Sequence, residues 1–172
     1  MIKLGTIEFD ECLLDAIREE KLVIFAGAGV SKGSPSNLDD FVTLANKIAE
    51  GKGLTASVPL DRFLGELHHQ GVSVHQRAVP LLTPPNSRPT SLHKDLIRLF
   101  KTGKNVRVVT TNFDLHFENA FESIFTDTSF HSHVYHAPAL PRGQRFHGIV
   151  HVHGSIEFPE DMVLTDADFG RA

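Results

Sequence analysis

Three short apolar runs, Leu22–Ala26, Val106–Thr110 and Ile149–Val152, each stop abruptly on a short polar or glycine-bearing sequence. Such runs are too short for core helices, and their Val and Ile content reads as strands buried on both faces, as in a parallel sheet. Helical periodicity fills the segments between them. Asp10 caps a helix in which Leu13, Leu14 and Ile17 share a face, and Asp39 or Asp40 caps a second through Phe41–Ala49. Leu60–His69 and Val74–Leu82 read as two short helices that end at Pro84-Pro85-Asn86. Another runs Leu92–Lys101 with Gly103 as its stop, and another follows over Leu115–Phe125. Met162–Thr165 reads as a fourth strand. This alternation predicts one α/β domain over 1–172, an open and mostly parallel sheet flanked by helices, with 53–90 as a small helical insertion. Asp166 looks like a cap with little helix behind it, so truncation at the C-terminus relative to the natural domain is expected.

Composition narrows the function. Seventeen basic residues against 21 acidic ones give a formal charge of −4, a poor basis for the concentrated positive surface of a nucleic-acid binder. No apolar run approaches the about 20 residues of a membrane span, and Met1–Asp10 lacks the features of a signal peptide, so a cytoplasmic location is the default expectation. Cys12 is the one cysteine, which excludes an internal disulfide and a multi-cysteine zinc site within this sequence. Histidine, with 11 copies, is over-used.

In an open α/β sheet ligands sit beyond the carboxyl ends of the strands, so the three polar sequences should converge. In Gly27-Ala28-Gly29-Val30-Ser31 the glycines allow a tight turn and close approach of a ligand. The free N–H groups of a following helix would face an anion such as phosphate. The segment departs from the dinucleotide fingerprint, because position 32 is Lys and Gly33 comes one residue late. No P-loop follows either. An ordinary strand-to-helix turn is the alternative. In Thr110-Thr111-Asn112-Phe113-Asp114, an amide can hold a ribose hydroxyl or a water, and a carboxylate can balance a cation; equally, either residue can cap the next helix. In His151-Val152-His153-Gly154-Ser155 the two histidines would share a strand face, and Gly154 leaves room beside His153. Histidine is the natural base near neutral pH, with a satisfied core histidine as the alternative. His131, His133 and His136 form a spaced trio for which an all-histidine metal site is a runner-up, although no helix fixes their spacing. His68 and His69 read as a solvated helix end.

Taken in order, Gly27-Ala28-Gly29-Val30-Ser31, Thr111-Asn112-Phe113-Asp114 and His153-Gly154-Ser155 resemble the three signature motifs of sirtuins. The resemblance is closer to the sirtuin-like domains at the N-terminus of bacterial antiphage defence proteins. Asn37-Leu38-Asp39-Asp40-Phe41 is similar to the segment after the glycine turn, and Leu164-Thr165-Asp166-Ala167-Asp168-Phe169 to the stretch after His-Gly in the defence branch. The resemblance implies a Rossmann-like fold and cleavage of the nicotinamide–ribose bond of NAD, which is substrate rather than resident cofactor. In deacylases an acyl-lysine captures the ADP-ribosyl group; in the defence domains water does, and NAD is depleted. By the same resemblance, the turn of Gly27, Ala28, Gly29 and Ser31 holds the pyrophosphate. Asn112 holds the ribose or positions water, and Asp114 serves the nicotinamide end. Thr111 and Asp40 join the NAD contacts, Phe41 covers the reactive carbon, and His153 is the general base.

Departures from the family pattern shift the expected activity. Deacylases carry four zinc-binding cysteines soon after the catalytic histidine, whereas none follows Cys12 here, so no zinc is expected. Val42 replaces the arginine that deacylases place after Asp-Phe. The leading expectation is an NAD hydrolase, held inactive until triggered and working in an oligomer with attached or partner defence domains. A non-catalytic NAD or ADP-ribose sensor and an NAD-dependent deacylase are the alternatives. No nucleic-acid or membrane contact is expected of this segment.

Overall fold

A computed structural model describes residues 2–4, 6–126, 133–141 and 146–171. The chain opens with a two-stranded antiparallel hairpin, β1 (Ile2–Leu4) and β2 (Ile7–Phe9). Helix α1 (Glu11–Arg18) follows, started by the Asp10 carboxylate, which accepts from the Cys12 N–H. The central sheet has four parallel strands: β3 (Ile24–Ala26), β4 (Arg107–Thr110), β5 (Val134–His136) and β6 (Gly148–His151), in the spatial order β3-β4-β6-β5. This is the open, parallel α/β sheet expected from the alternating pattern, in the Rossmann-like arrangement that the family resemblance implies.

The register sets the site. Ala26 pairs with Thr110, Thr110 with His151, and His151 with His136, so all four strands finish on one line. The ladder continues one residue further, with Thr111 N–H donating to the Ala26 carbonyl and Val152 N–H to that of Thr110. The sequences that follow the strands therefore emerge together.

Helices α2 (Phe41–Ile48), α3 (Leu60–His69), α4 (Val74–Leu82), α5 (Ser91–Arg98), α6 (His116–Glu122) and the single turn α7 (Asp166–Phe169) form two cores. One face of the sheet, through Ile24, Ala26, Val108 and Ile149, buries against Ile97 and Phe100 from α5 and its end and Phe117 and Phe121 of α6. The second core joins α2, α3 and α4 through Leu44, Ile48, Leu64, Leu67, Val74 and Ala78. Phe113, Met162 and Leu164 close it from the strand-end side. The helices within 53–90 thus share their core with α2 and with the segment after β6.

Several expectations are corrected. Leu22–Ala26 is not buried on both faces: Phe25, on the face opposite Ile24 and Ala26, is 79% exposed. An uninterrupted apolar run cannot tell a covered strand from one whose outer face has no layer over it. Met162–Thr165 is not a strand; it is a buried loop leading into α7. β5, which carries His136 of the histidine trio, has no counterpart among the expected strands, because Val134-Tyr135-His136 alone is too short to show alternation. His153 does not share a strand face with His151. β6 ends at His151, and the chain turns at Val152–His153 and leaves through Gly154 at φ +77°. A Cβ at Gly154 would meet the Asp161 carbonyl oxygen at 2.6 Å, so this turn requires glycine. Among the described residues, no helix is long and apolar enough to cross a membrane.

Candidate active site at the strand ends

Beyond the carboxyl ends of the sheet lies a cleft of about 210 Å³. The glycine turn contributes Ala28 and Ser31 from a short 3-10 turn that follows Gly27. The second motif contributes Thr111, Asn112, Phe113 and Asp114. His153 faces it from the turn after β6, and Phe41 from the start of α2. Three of the expected residues do not line it. Gly27 sits behind Thr111, whose Oγ1 lies 3.4 Å from where a Cβ would stand. Gly29 borders open space, with nothing within 4 Å of such a Cβ. Asp40 is the N-cap of α2: its carboxylate accepts from the Thr43 N–H at 2.9 Å and pairs with Lys32 at 2.7 Å. Hydrogen bonds from Lys32 and Thr43 hold its carboxyl well below the usual range.

The lining also includes residues that the sequence did not single out. Leu38, Leu44, Leu82 and Val163 make much of the wall apolar, and Phe169 of α7 stands edge-on to His153 with ring centres 5.6 Å apart. Asp39 lines the cleft while one of its oxygens is held by Lys47 at 2.6 Å. The lining therefore carries two carboxylates, Asp39 and Asp114, and no lysine or arginine. That surface suits a cationic or neutral aromatic group far better than a diphosphate.

Beneath the cleft lies a buried polar network. The Ser31 hydroxyl donates to Asp114 Oδ2 at 2.9 Å and accepts from Asn112 Nδ2 at 3.1 Å. His93 Nε2, on α5, lies 3.2 Å from the same oxygen. Ser31 is 2% exposed, so this hydroxyl, expected at a pyrophosphate, is spent inside the protein. Asp114 Oδ1 accepts from the His116 N–H at 3.0 Å, combining a cap for α6 with a wall for the cleft. The hydrogen bond at the start of α6 is the second of the two roles considered for Asp114, and its place in the cleft wall leaves the first, a carboxylate facing a cation, as a proposal.

Asn112 is fixed on three sides. Its N–H donates to Thr110 Oγ1 at 3.0 Å, its carbonyl accepts from His151 Nδ1 at 2.9 Å, and its side-chain nitrogen donates to Ser31. Among the described residues, its carboxamide oxygen takes no hydrogen bond. His151 is fully buried, and its Nε2 lies 2.6 Å from Glu118 Oε1. Burial opposes charge on this ring, but the Glu118 carboxylate and the Asn112 carbonyl outweigh it and raise the pKa. His136 stacks on His151 at 5.2 Å and pairs with Glu157 at 3.2 Å. Burial, then the charge of His151, lowers its pKa.

His153 differs from all of these. Its imidazole makes no hydrogen bond among the described residues, and burial lowers its pKa. It is a neutral base with a free lone pair, half-buried beside Phe113 and Phe169. Of the histidine trio, His131 lies outside the described residues; His136 is engaged as above, and no group of three or more metal-ligating side chains is found among the described residues. His68 and His69 are exposed at the end of α3.

Glu118 and His93 escaped the sequence reading. Nothing in the sequence links Glu118 to His151, which lies 33 residues later. His93 did leave a signal. Thr90-Ser91-Leu92-His93 has the spacing of a capping box, and the structure contains one, with the imidazole in the place usually taken by Glu or Gln.

Comparison with known proteins places these motifs. The chain is 32% identical over 186 residues to an uncharacterized protein, y4cA, of Sinorhizobium fredii (strain NBRC 101917 / NGR234). The match takes in 96% of this chain and 15% of the relative, so the chain spans only a small part of that protein's length. Residues 106–172 match the model of the SIR2-like domain. Asn112, Asp114 and His153 all fall within that segment, which is where the chain is similar to SIR2-like domains.

Proposed function

We propose that this chain is an NAD hydrolase that breaks the nicotinamide–ribose bond and passes the ADP-ribosyl group to water. Residues 106–172 match a SIR2-like domain, and such domains bind NAD, which supports the coarser part of this reading. The observation that carries the finer one is a pair of free acceptors in one cleft: the Asn112 carboxamide oxygen and the His153 imidazole. Asn112 is held rigidly enough to orient a water, and His153 is neutral and free to take its proton. Asp114 and Asp39 supply negative charge where positive charge develops on the sugar, as cleavage of a glycosidic bond requires. Nicotinamide departs as a neutral molecule, so no acid is needed on the leaving group.

The apolar wall of Phe41, Phe113 and Phe169 suits the nicotinamide ring and shields it from bulk water. The diphosphate would lie outside this anionic cleft, over the bare backbone at Gly29. Within this chain no cysteine follows Cys12, which favours water over an acyl-lysine framed by a zinc module as the acceptor. Antiphage defence by NAD depletion, in an oligomer with partner domains, is the biological setting we propose, from the sequence resemblance.

The test is to incubate purified protein with NAD and quantify nicotinamide and ADP-ribose by chromatography, with His153→Ala alongside. Equal release of both products, lost in the variant, is expected. Binding without release would replace the hydrolase by a sensor, and NAD-dependent loss of acetyl from a peptide would replace it by a deacylase.

A further inference from the structure

We infer that Asp39 sets the base selectivity of the cleft: its free carboxylate oxygen takes a hydrogen bond from the carboxamide of a nicotinamide ring and repels a ring that carries a carboxylate instead. This selectivity rests on the NAD reading above and names which pyridine dinucleotides the cleft accepts. The family resemblance points instead to the neighbouring Asp40, which the structure commits to Lys32 and to the start of α2. Two carboxylates line the cleft, and they differ in what they have left to offer. Asp114 accepts on both oxygens, from Ser31 Oγ at 2.9 Å and from the His116 N–H at 3.0 Å. Asp39 accepts on one, Oδ2, from Lys47 Nζ at 2.6 Å, and among the described residues nothing donates to its Oδ1. A carboxylate can only accept, so the ligand group that meets Oδ1 must be a donor.

Asp39 meets the cleft with a fixed charge. On one side of it the Leu38 N–H donates to the Ser31 carbonyl at 2.9 Å; on the other Asp40 caps α2. Lys47, in the last turn of that helix, holds the side chain. Position in the chain ties this charge to the ring. Asp39 lies two residues before Phe41, and Asp114 directly after Phe113, so both carboxylates come from segments that supply the aromatic wall. A nicotinamide ring against that wall carries its carboxamide into an anionic surround. The amide NH2 has two protons to give, and Asp39 Oδ1 has a lone pair to take one. A nicotinate ring brings a full negative charge and no proton, and the lining has no lysine or arginine to receive it. The discrimination is built by repulsion as much as by attraction.

Steady-state release of free base from NAD and from nicotinic acid adenine dinucleotide, compared as kcat/KM, tests this. A site built to hydrogen-bond a group rejects an analogue that cannot pair by about 10⁴–10⁵. The Asp39 side chain is 24% exposed and solvent weakens the repulsion, so wild type should prefer NAD by at least about 100-fold. Equal use of the two by wild type overturns the inference outright. Asp39→Asn keeps the size and an acceptor for Lys47 while turning an NH2 group to the cleft. The preference should fall below about 10-fold, chiefly through faster turnover of the nicotinic acid dinucleotide; losses common to both substrates cancel in the ratio. Asp39→Ala should narrow it as well, and decides should Asp39→Asn fail to fold. Lys47→Met separates charge from bracing: it strips the Asp39 carboxylate of its counter-ion, so the preference should hold or rise. A preference that falls in Lys47→Met as in Asp39→Asn means that Asp39 is only a brace. One unchanged in Asp39→Asn means that Oδ1 meets a group common to both substrates, such as a ribose hydroxyl. Either result overturns the inference. Wild type that releases neither base counts against the hydrolase reading alone, and calorimetric affinities of the same proteins for the two dinucleotides then decide, with the same ratios expected. Binding of neither overturns both readings.

Discussion

His151 Nε2 lies 2.6 Å from Glu118 Oε1, in a place where the histidine has no exposure at all. The other nitrogen of the same ring holds the Asn112 carbonyl, so an interior ion pair props up the loop that forms the floor of the cleft. Removing one partner of such a pair strands the other, at a cost of about 3–5 kcal/mol, whereas replacing both with apolar groups is far less harmful. Glu118→Leu should therefore destabilise the protein by about 3 kcal/mol in urea unfolding. The Glu118→Leu, His151→Leu double variant should recover a good part of that. A single-variant cost below about 1 kcal/mol would mean that the pair is not charged.

The buried histidines predict a stability maximum near neutral pH. His93 and His116 are held neutral by burial, the former down to about 4 from an ordinary 6.5. Between those values the unfolded chain binds protons that the folded one refuses. Stability should fall as pH drops from about 6.5 towards 4, at up to about 1.4 kcal/mol per pH unit from His93, with His116 acting in the same direction. His151 works in the opposite sense. Its pKa is raised, so its contribution is complete below 6.5 and is lost as pH rises through the folded value. Thermal unfolding from pH 4 to 9 checks both limbs, and His93→Gln should flatten the acid one.

Gly29 and Gly154 make a matched pair for separating ligand binding from folding. Gly29 lacks a positive φ and has no neighbour within 4 Å of a built Cβ, so Gly29→Ala should leave thermal stability unchanged or slightly raised. If the diphosphate of NAD lies over that backbone, the same methyl group should weaken NAD binding by at least about 10-fold in calorimetry. Gly154→Ala should instead destabilise by more than about 1 kcal/mol, because its φ of +77° and the Asp161 carbonyl leave no room for a side chain.

His153 and Asn112 should differ in kind. A positioned general base contributes about 10²–10⁴ in rate, so His153→Ala should lose that much kcat with its melting temperature intact. Asn112 also braces Ser31 and hence Asp114 and His93, so Asn112→Ala should lose both activity and stability. Stability equal to wild type in Asn112→Ala would show that the network closes without it.

The strand ends were legible because each apolar run breaks off at a polar motif, and pairing of Ala26, Thr110 and His151 then brings the motifs together. What lay between them was not. Whether His151 and His153 face the same way depends on where β6 stops, and the turn through Gly154 is decided by contact with Asp161, far from the histidines in character and invisible to periodicity. The exposed outer face at Phe25 was equally hidden, since apolar letters report what a strand can bury and not what is there to cover it. Asp40 was legible as a helix cap, and the structure gives it that place. Ser31 and His93, 62 residues apart, meet only because α5 docks beside the glycine turn.

The alignment of the strand ends has one more consequence. Because Ala26, Thr110 and His151 occupy a single rung of the sheet, the backbone hydrogen bonds serve as the ruler against which the cleft is assembled. A slip of one residue in any strand would carry its motif about 3.3 Å along the strand axis and turn alternate side chains to the opposite face. Errors in strand pairing are therefore also errors in the cleft of this molecule, and a misregistered sheet would be a folded protein with a dismantled site.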